Sequence, residues 1–297
     1  MWRTVRCDRG DGYAETVDSW TLVADDVFQR RYDPLDVSVV AIVGPTGVIL
    51  VDTRNNPAEA DEIIADVDAR FALPIVAVIN THAHYDHTFG NQRFASDAHR
   101  PVPIYGHAGI PRHFEEFEGP RLAAQQADPS REPDKQWSEV RLTPPTVLID
   151  RPTTVHAGGR TIELIPLPPG HTDTDLVVFV PDQRVWVLGD IVEESGPPMY
   201  GPGSFPFGWP TALRGLLERI EPGDRLIPGH GAVVDRDYVV AQADSLQMVA
   251  DAIRSAWADD VSIDEVFAMG SPELPWPESV TRSAFEQGYA QLAQAER

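Results

Sequence analysis

The chain has 297 residues, of which 42% are hydrophobic and 24% are charged, a composition typical of a globular protein with one large domain or two small ones. Its 24 Lys and Arg residues against 46 Asp and Glu residues give a formal charge of −22, which excludes the basic surface of a nucleic-acid binder or of a protein held on an anionic membrane. We find neither a transmembrane segment nor a signal peptide, so we expect a cytoplasmic protein. The single cysteine, Cys7, excludes an internal disulfide and a cysteine metal cluster.

The first part of the chain alternates between the patterns of strands and helices. Residues 1–18 are polar and without periodicity, which predicts a loose N-terminal arm. Asn56-Pro57, followed by apolar residues at helical spacing, predicts the start of a helix. Strands are predicted at 20–31, 37–43, 48–52 and 75–79; the second and third are joined by a Gly- and Pro-containing turn, and the last is apolar throughout.

The second part repeats this order of strands followed by helices. Strands are predicted at 103–105, 147–149, 153–156, 161–166, 176–180, 184–188 and 225–227. Helices are predicted at 89–95, 211–220, 238–257 and 277–295, with helices and irregular turns in the proline-rich stretch 107–145. We therefore expect an α/β fold in which two mixed sheets pack face to face with helices outside, a four-layer sandwich. It would form a single domain over 19–297, with a core at about 20–235 and a helical segment at 236–297.

Three of the nine histidines fall within the six residues HAHYDH at 82–87. This segment directly follows the predicted strand 75–79, at the end where reactive groups gather in α/β folds. Imidazole and carboxylate are the usual ligands of zinc and similar ions. His82 and His84 alternate along an extended backbone and can face one ion. Asp86 and His87 then point elsewhere, which suggests two adjacent ions.

Three further positions place a possible ligand directly after a glycine, and each follows an apolar segment. They are Gly170-His171, Gly189-Asp190 and Gly229-His230. Glycine allows a tight bend, so that the following side chain can face a shared cleft. Each pair alone is a weak signal, but together with the segment 82–87 they supply the ligands that two ions would still need.

The motif HAHYDH, taken with His171, Asp190 and His230, resembles the metallo-β-lactamase superfamily of hydrolases over roughly residues 20–235. The resemblance implies an αβ/βα sandwich with a binuclear metal cleft at its edge. The ligand set that it implies is His82, His84 and His171 for one ion, Asp86, His87 and His230 for the other, and Asp190 bridging them. The implied cofactor is two divalent ions per chain, most simply Zn²⁺, with Fe or Mn as alternatives. Asp52, which ends the run VILVD, matches an acidic residue that would accept the second N–H of a ligand histidine.

This ligand set implies metal-dependent hydrolysis without a serine or cysteine nucleophile. A water bridging two cations would become hydroxide near neutral pH, because a single zinc lowers the pKa of water from 15.7 to about 7. That hydroxide would attack a carbonyl carbon or a phosphorus atom. Asp86 would accept a proton or orient the hydroxide while also binding metal.

Asp190 is the position that separates substrate classes in this resemblance. β-Lactamases of the superfamily carry cysteine there or no ligand, whereas glyoxalase II-like thioesterases, lactonases and phosphodiesterases carry aspartate. Nuclease branches need a basic groove, which the acidic composition disfavours. We therefore expect a small carbonyl substrate (thioester, lactone or ester), with weak or no cleavage of β-lactams. A β-lactam hydrolase and a phosphodiesterase remain alternatives.

The proline-rich loop 193–210 follows Asp190 and is expected at the mouth of the cleft. Its aromatic residues either form an apolar wall toward substrate or pack the loop onto the fold. The candidates for substrate contact are Tyr85, Tyr200, Phe205, Phe207 and Trp209. Of the remaining histidines, His113 in the stretch 107–145 is the best candidate for a further role.

The partner expected is a small-molecule substrate. The helix after residue 238 either covers the fold or contacts a second copy of the chain, so a homo-oligomer is an alternative to a monomer. Nucleic acid and membrane are not expected. Two other classes use the same ligands: an iron-binding redox protein and a non-catalytic metal protein. The redox members of the superfamily usually carry an appended flavin domain, for which little chain remains after residue 240. A non-catalytic homologue would be expected to lose ligands, and none is missing here.

Overall fold

A computed structural model of the chain describes residues 19–95, 101–268 and 274–296. The predicted arm 1–18, with Cys7, and His99 lie outside these residues. The strands are β1 Thr21–Ala24, β2 Val27–Tyr32, β3 Val37–Gly44, β4 Gly47–Val51, β5 Ile75–Ile79, β6 Ile104–His107, β7 Val147–Ile149, β8 Thr153–Ala157, β9 Arg160–Pro166, β10 Leu176–Val180, β11 Val185–Glu193 and β12 Arg225–His230. The helices are α1 Pro57–Phe71, α2 Tyr85–Thr88, α3 Gln92–Ala95, α4 Ile110–His113, α5 Gly119–Ala127, α6 Trp209–Leu217, α7 Arg236–Ala258, α8 Ile263–Ala268 and α9 Glu278–Ala295. A π-helical turn, Phe114–Glu118, joins α4 to α5.

The strands form two mixed sheets that meet at one point. Strands β1 to β7 follow one another in space, and β8 to β12 do the same. A single residue pair, Val37 with His230, joins β3 to β12. Parallel pairing is found for β4–β5, β5–β6, β6–β7 and β11–β12. The carboxyl ends of β4 and β5 therefore share one edge, as do those of β11 and β12.

Strict alternation of side chains along the central strands divides the core into layers. On β3, Val40 and Ile42 face the second sheet, whereas Val39 and Ala41 face α1. Side chains of the second sheet also alternate between the space between the sheets and the outer face, where α6, α7 and α9 pack. The observed order is helix, sheet, sheet, helix, which confirms the predicted four-layer sandwich.

Several predicted elements change at their ends or divide. The predicted strand 20–31 is wrong as one element, because Asp26 takes a left-handed φ of 61° and turns the chain into a hairpin of β1 and β2. The predicted strand 184–188 runs on to Glu193 as β11. Helix α1 begins after Asn56, as predicted, because the side chain of Asn56 accepts a hydrogen bond from the backbone N–H of Glu59. None of the helices in the described ranges is both long and apolar enough to cross a membrane.

Candidate metal centre

Strand ends place the candidate ligands along one edge of the sandwich. Asp52 follows β4, and residues 82–87 follow β5 through a short loop into α2. Asp190 lies within β11, and His230 is the last residue of β12. Because β4 pairs with β5 and β11 with β12 in parallel, these ends converge. His171 arrives from the loop between β9 and β10.

The backbone around Asp190 is shaped to bring its carboxylate into this edge. The register between β11 and β12 shifts on both sides of Gly189, and such bulges re-aim side chains. Gly189 has a φ of +60°, and a Cβ there would stand 2.7 Å from Cβ of Thr81. A Cβ on Gly229 would stand 1.8 Å from Oδ1 of Asp190. Gly189 and Gly229 are therefore required here, because the Cβ of any other residue would clash with Thr81 or Asp190.

The first group of candidate ligands is His82, His84 and His171. Nε2 of His171 lies 2.9 Å from Nδ1 of His84. Oδ2 of Asp190 lies 3.5 Å from Nε2 of His82 and 3.6 Å from Nε2 of His171. Suitable donor atoms of these four residues lie within 4.8 Å of one another.

The second group is Asp86, His87 and His230. The Nε2 atoms of His87 and His230 lie 3.3 Å apart, and Oδ2 of Asp86 lies 3.5 Å from Nε2 of His230. Oδ1 of Asp190 lies 3.1 Å from Nε2 of His87, and Oδ2 lies 3.4 Å from Nε2 of His230. The Asp190 carboxylate thus contacts both groups, and all seven residues named from the sequence lie in one cluster.

Asp52 lies behind the second group. Its Oδ2 is 2.8 Å from Nδ1 of His87, and its carboxylate also accepts hydrogen bonds from the backbone N–H and the hydroxyl of Thr81. Nδ1 of His230 lies 2.7 Å from the carbonyl oxygen of Leu35. Both rings are therefore held from their far side with Nε2 directed into the cluster.

The pKa values of the two groups move in opposite directions. Burial lowers the pKa values of His82 and His84 well below the usual range of histidine. It lowers the pKa of His171 to about 4. Burial acts on His87 and His230 in the same sense, but the nearby carboxylates, Asp190 first, outweigh it and raise the pKa of His230 to about 10. Burial would raise the pKa of Asp190, yet His87 and His230 hold it well below its usual range.

The donor set fits a divalent cation. Nε2 of His82 is buried and has no hydrogen-bond partner within residues 19–95, 101–268 and 274–296, although buried polar atoms are nearly always paired. Two pairs of imidazole nitrogens face each other across about 3 Å, which is the arrangement of ligands around a shared ion. Low pKa values keep the histidines of the first group neutral, which is the form that binds metal. In the second group the carboxylates of Asp86 and Asp190 supply negative charge that would attract a cation.

A cavity of about 760 Å³ opens onto the cluster. Tyr85 lines it, as do Leu35, Phe117 and Met199. Tyr200, Phe207 and Trp209 do not, because they pack into the core beneath α6 and α7, and the ring of Trp209 lies 5.0 Å from that of His171. Phe205 is partly buried and is also absent from the lining. The structure therefore favours the packing interpretation for Tyr200, Phe207 and Trp209. Contact of these residues and of Phe205 with a substrate stays a prediction.

Three residues near the cluster were not predicted as site residues. Glu193 is buried close to Asp190 and His230, and its burial and the Asp190 charge raise its pKa well above the usual range. Glu118 lies near His84 and His113, and Arg121 lines the cavity. His113 itself is fully buried, with Nδ1 2.9 Å from Asp173. No motif marks these residues, since most lie in the irregular stretch 107–145.

Comparisons with known proteins agree on one family for this chain. The family model of the metallo-beta-lactamase superfamily matches residues 32–230. A 2,4-dinitroanisole O-demethylase subunit alpha of Nocardioides sp. (strain JS1661) is 29% identical over 71% of this chain, and the match spans only 54% of that relative. A metallo-beta-lactamase type 2 of Bacillus sp. (strain 170) is 24% identical over 68% of this chain and 69% of its own length.

The fold extends over more of the chain than the family model does. The sec-alkylsulfatase Pisa1 from Pseudomonas sp. superposes with a TM-score of 0.73 at 20% identity, and the match covers 91% of this chain and 50% of that one. At this identity the likeness concerns the fold alone.

Proposed function

The chain belongs to the metallo-beta-lactamase superfamily of metal-dependent hydrolases, and we propose that it is a two-cation hydrolase of a small thioester, lactone or ester. The observation that carries the proposal is the position of the Asp190 carboxylate between two groups of ligands. It lies within 3.6 Å of nitrogens from His82, His171, His87 and His230. One carboxylate shared in this way supports two adjacent sites.

The residues have separate roles in this proposal. His82, His84 and His171 would hold one cation, Asp86, His87 and His230 the other, and Asp190 would reach both. When bound, such cations lower the pKa of water toward neutrality and polarise a carbonyl oxygen. Asp86 lines the cavity and is 7% exposed, so its carboxylate is placed to orient an attacking water and to accept its proton. Asp52 and the Leu35 carbonyl fix His87 and His230 from behind.

The identity of residue 190 supports an ester-like substrate over a β-lactam. A carboxylate between the cations partly neutralises the charge available to a leaving group. A good leaving group such as a thiolate or an activated alkoxide needs little stabilisation by a cation. In a β-lactam the leaving group is the ring nitrogen, whose negative charge must be stabilised or protonated as the C–N bond breaks. The β-lactamase relative makes β-lactams the alternative substrates to test.

Metal content combined with a hydrolysis panel tests the proposal. The zinc-loaded protein should hold about two ions per chain, and a His171→Ala or His230→Ala variant about one. His156→Ala is the matched control, because His156 is exposed and its ring contacts only Thr161. The loaded protein should cleave thioesters, lactones or aryl esters with a kcat/KM well above that for penicillins and carbapenems. One ion per loaded chain, or β-lactam turnover without esterase, lactonase or thioesterase activity, would contradict it.

A further inference from the structure

One wall of the cavity is made by the π-helical turn Phe114–Glu118, which lies in the stretch 107–145. Three consecutive residues of this turn, Glu116, Phe117 and Glu118, line the cavity. Glu116 is exposed, whereas Glu118 is buried and its Oε2 has no hydrogen-bond partner in the described part of the chain. Turns of π-helix are often found at functional sites, and this one presents two carboxyl side chains to the space where a substrate would lie.

The charged groups along the cavity are very unevenly divided. Its lining contains five carboxyl residues, Asp86, Glu116, Glu118, Asp190 and Glu193, and one Lys or Arg within the described part of the chain, Arg121. Asp86 and Asp190 belong to the candidate metal ligands, and burial raises the pKa of Glu118 to about 7 and that of Glu193 well above its usual range. Glu116 is therefore the exposed carboxylate of this wall. The guanidinium of Arg121 donates to both carboxylate oxygens of Glu132, at 2.9 and 2.6 Å. It also lies over the ring of Tyr85 at 4.6 Å. The charge of Arg121 is thus compensated by Glu132. Lys135 donates to the hydroxyl of Tyr85 at 3.2 Å and is paired with Asp134, which leaves the carboxylate of Glu116 on this wall.

The remaining lining is largely apolar. Leu35, Phe117, Met199 and two prolines of the loop, Pro197 and Pro202, border the same space. Met199 is 62% exposed, an unusual state for a large apolar side chain at the rim of a cavity. This surface suits an uncharged organic group and offers no ionic partner to a carboxylate.

We propose that Glu116 makes this cavity selective for uncharged apolar thioester, lactone or ester substrates and rejects substrates that carry a carboxylate away from the scissile bond. This inference rests on the proposed function and narrows its substrate class. Cations held by the ligands at the floor would polarise the reacting carbonyl, whereas a distal carboxylate would lie against the wall that carries Glu116. Repulsion between like charges would then raise the free energy of both the bound state and the transition state.

A pair of thioesters that differ in one charge tests the selectivity. We would compare the butanoyl thioester of 3-mercaptopropionamide with that of 3-mercaptopropionate on the metal-loaded protein. The neutral thioester should have the higher kcat/KM, and the ratio should shrink as salt is added, because screening weakens the repulsion.

Charge reversal at the wall identifies the residue responsible. Glu116→Lys should raise kcat/KM for the carboxylated thioester relative to the neutral one by about fivefold, as expected for a change of two charges at roughly 8 Å in a water-like dielectric. Glu115→Lys is the matched control, because Glu115 is exposed on the same turn but does not line the cavity. It changes the net charge equally and should leave the ratio nearly unchanged.

The outcomes separate this inference from the proposed function. Equal kcat/KM values for the two wild-type reactions, or equal shifts in the two lysine variants, would overturn the acidic-wall inference while leaving the hydrolase intact. If no thioester, lactone or ester is cleaved, the proposed function fails. The affinities of the uncleavable S-butyl thioethers, measured by calorimetry in the same variants, then decide the inference: a gain for the carboxylated thioether in Glu116→Lys alone supports it, and equal changes overturn it.

Discussion

The two histidine groups of the candidate metal centre differ in what holds the far side of each ring. In the second group, His87 is held by the Asp52 carboxylate and His230 by the Leu35 carbonyl, at 2.8 and 2.7 Å. In the first group, Nδ1 of His171 is buried without a hydrogen-bond partner among the described residues, and Nδ1 of His82 lies 3.1 Å from the hydroxyl of Thr81. The second group is thus positioned by hydrogen bonds, and the first mainly by packing.

The two groups also differ in the protonation state of their histidine rings. Burial, assisted by the neighbouring histidines, lowers the pKa values of the first group, so those rings are neutral at physiological pH. Around the second group the charge of Asp190 overrides burial and favours protonated rings. A cation must therefore displace protons on one side of the centre but not on the other. Asp190 belongs to both sides, and changing it tests the whole arrangement.

We expect the largest effect from Asp190→Ala. Losing the shared carboxylate should lower kcat/KM by about 10²–10³ or more, because the electrostatic stabilisation of several kcal/mol that paired cations provide depends on both being held. Metal content, activity and circular dichroism should be measured together, and the fold should persist. Asp244→Ala is the control, since Asp244 is exposed and pairs with the exposed Arg214 at the surface. Turnover near that of the wild type would remove Asp190 from its bridging role.

Asp52→Asn should act on one side of the centre only. Replacing an oriented carboxylate behind a ligand histidine typically costs 10–100-fold in metal affinity. We expect one of two dissociation constants, obtained by chelator competition, to rise by about this factor while the other stays within about threefold. In Asp52→Asn combined with His230→Ala, where the first group remains, the affinity should match that of His230→Ala alone. An equal loss at both sites would mean that Asp52 supports the whole edge and not His87.

Particular residues show where sequence reasoning reached its limit. The ligands could be predicted because each follows an apolar segment that the sequence marks as a strand. A glycine before Asp190 and before His230 marks the places where the backbone approaches its neighbours closely. Tyr200 and Trp209 were ambiguous, because an aromatic residue in a loop has the same pattern whether it faces a cleft or fills the core. Glu193 was missed because β11 was expected to end at residue 188. Glu116 and Arg121 lie on an irregular helical stretch whose facing depends on tertiary contacts.

The smallest expected effect is a pH dependence confined to the metal-free protein. The folded-state pKa of His230 is raised from 6.5 to about 10, mainly by Asp190 acting against burial. Its stabilising contribution is therefore complete below about pH 6.5 and is lost as the pH rises through 10. Asp190 has a lowered pKa, so its contribution is present above its ordinary value of 3.8 and is lost only as the pH falls through the lowered pKa.

Together these shifts place the stability maximum of the metal-free protein between about pH 4 and 6.5, as far as this pair determines it. Raising the pH from 6.5 to 10 should lower its Tm by several degrees, since about 1 kcal/mol corresponds to roughly 2–4 °C in a chain of comparable size. In the zinc-loaded protein cations replace these protons, so the same change of pH should have a smaller effect. His230→Gln should abolish most of the difference between the two forms, whereas His156→Gln should preserve it. A metal-free Tm that is flat over this range would mean that the His230–Asp190 pair does not hold a proton, and the contrast between the two groups would then lie in geometry alone.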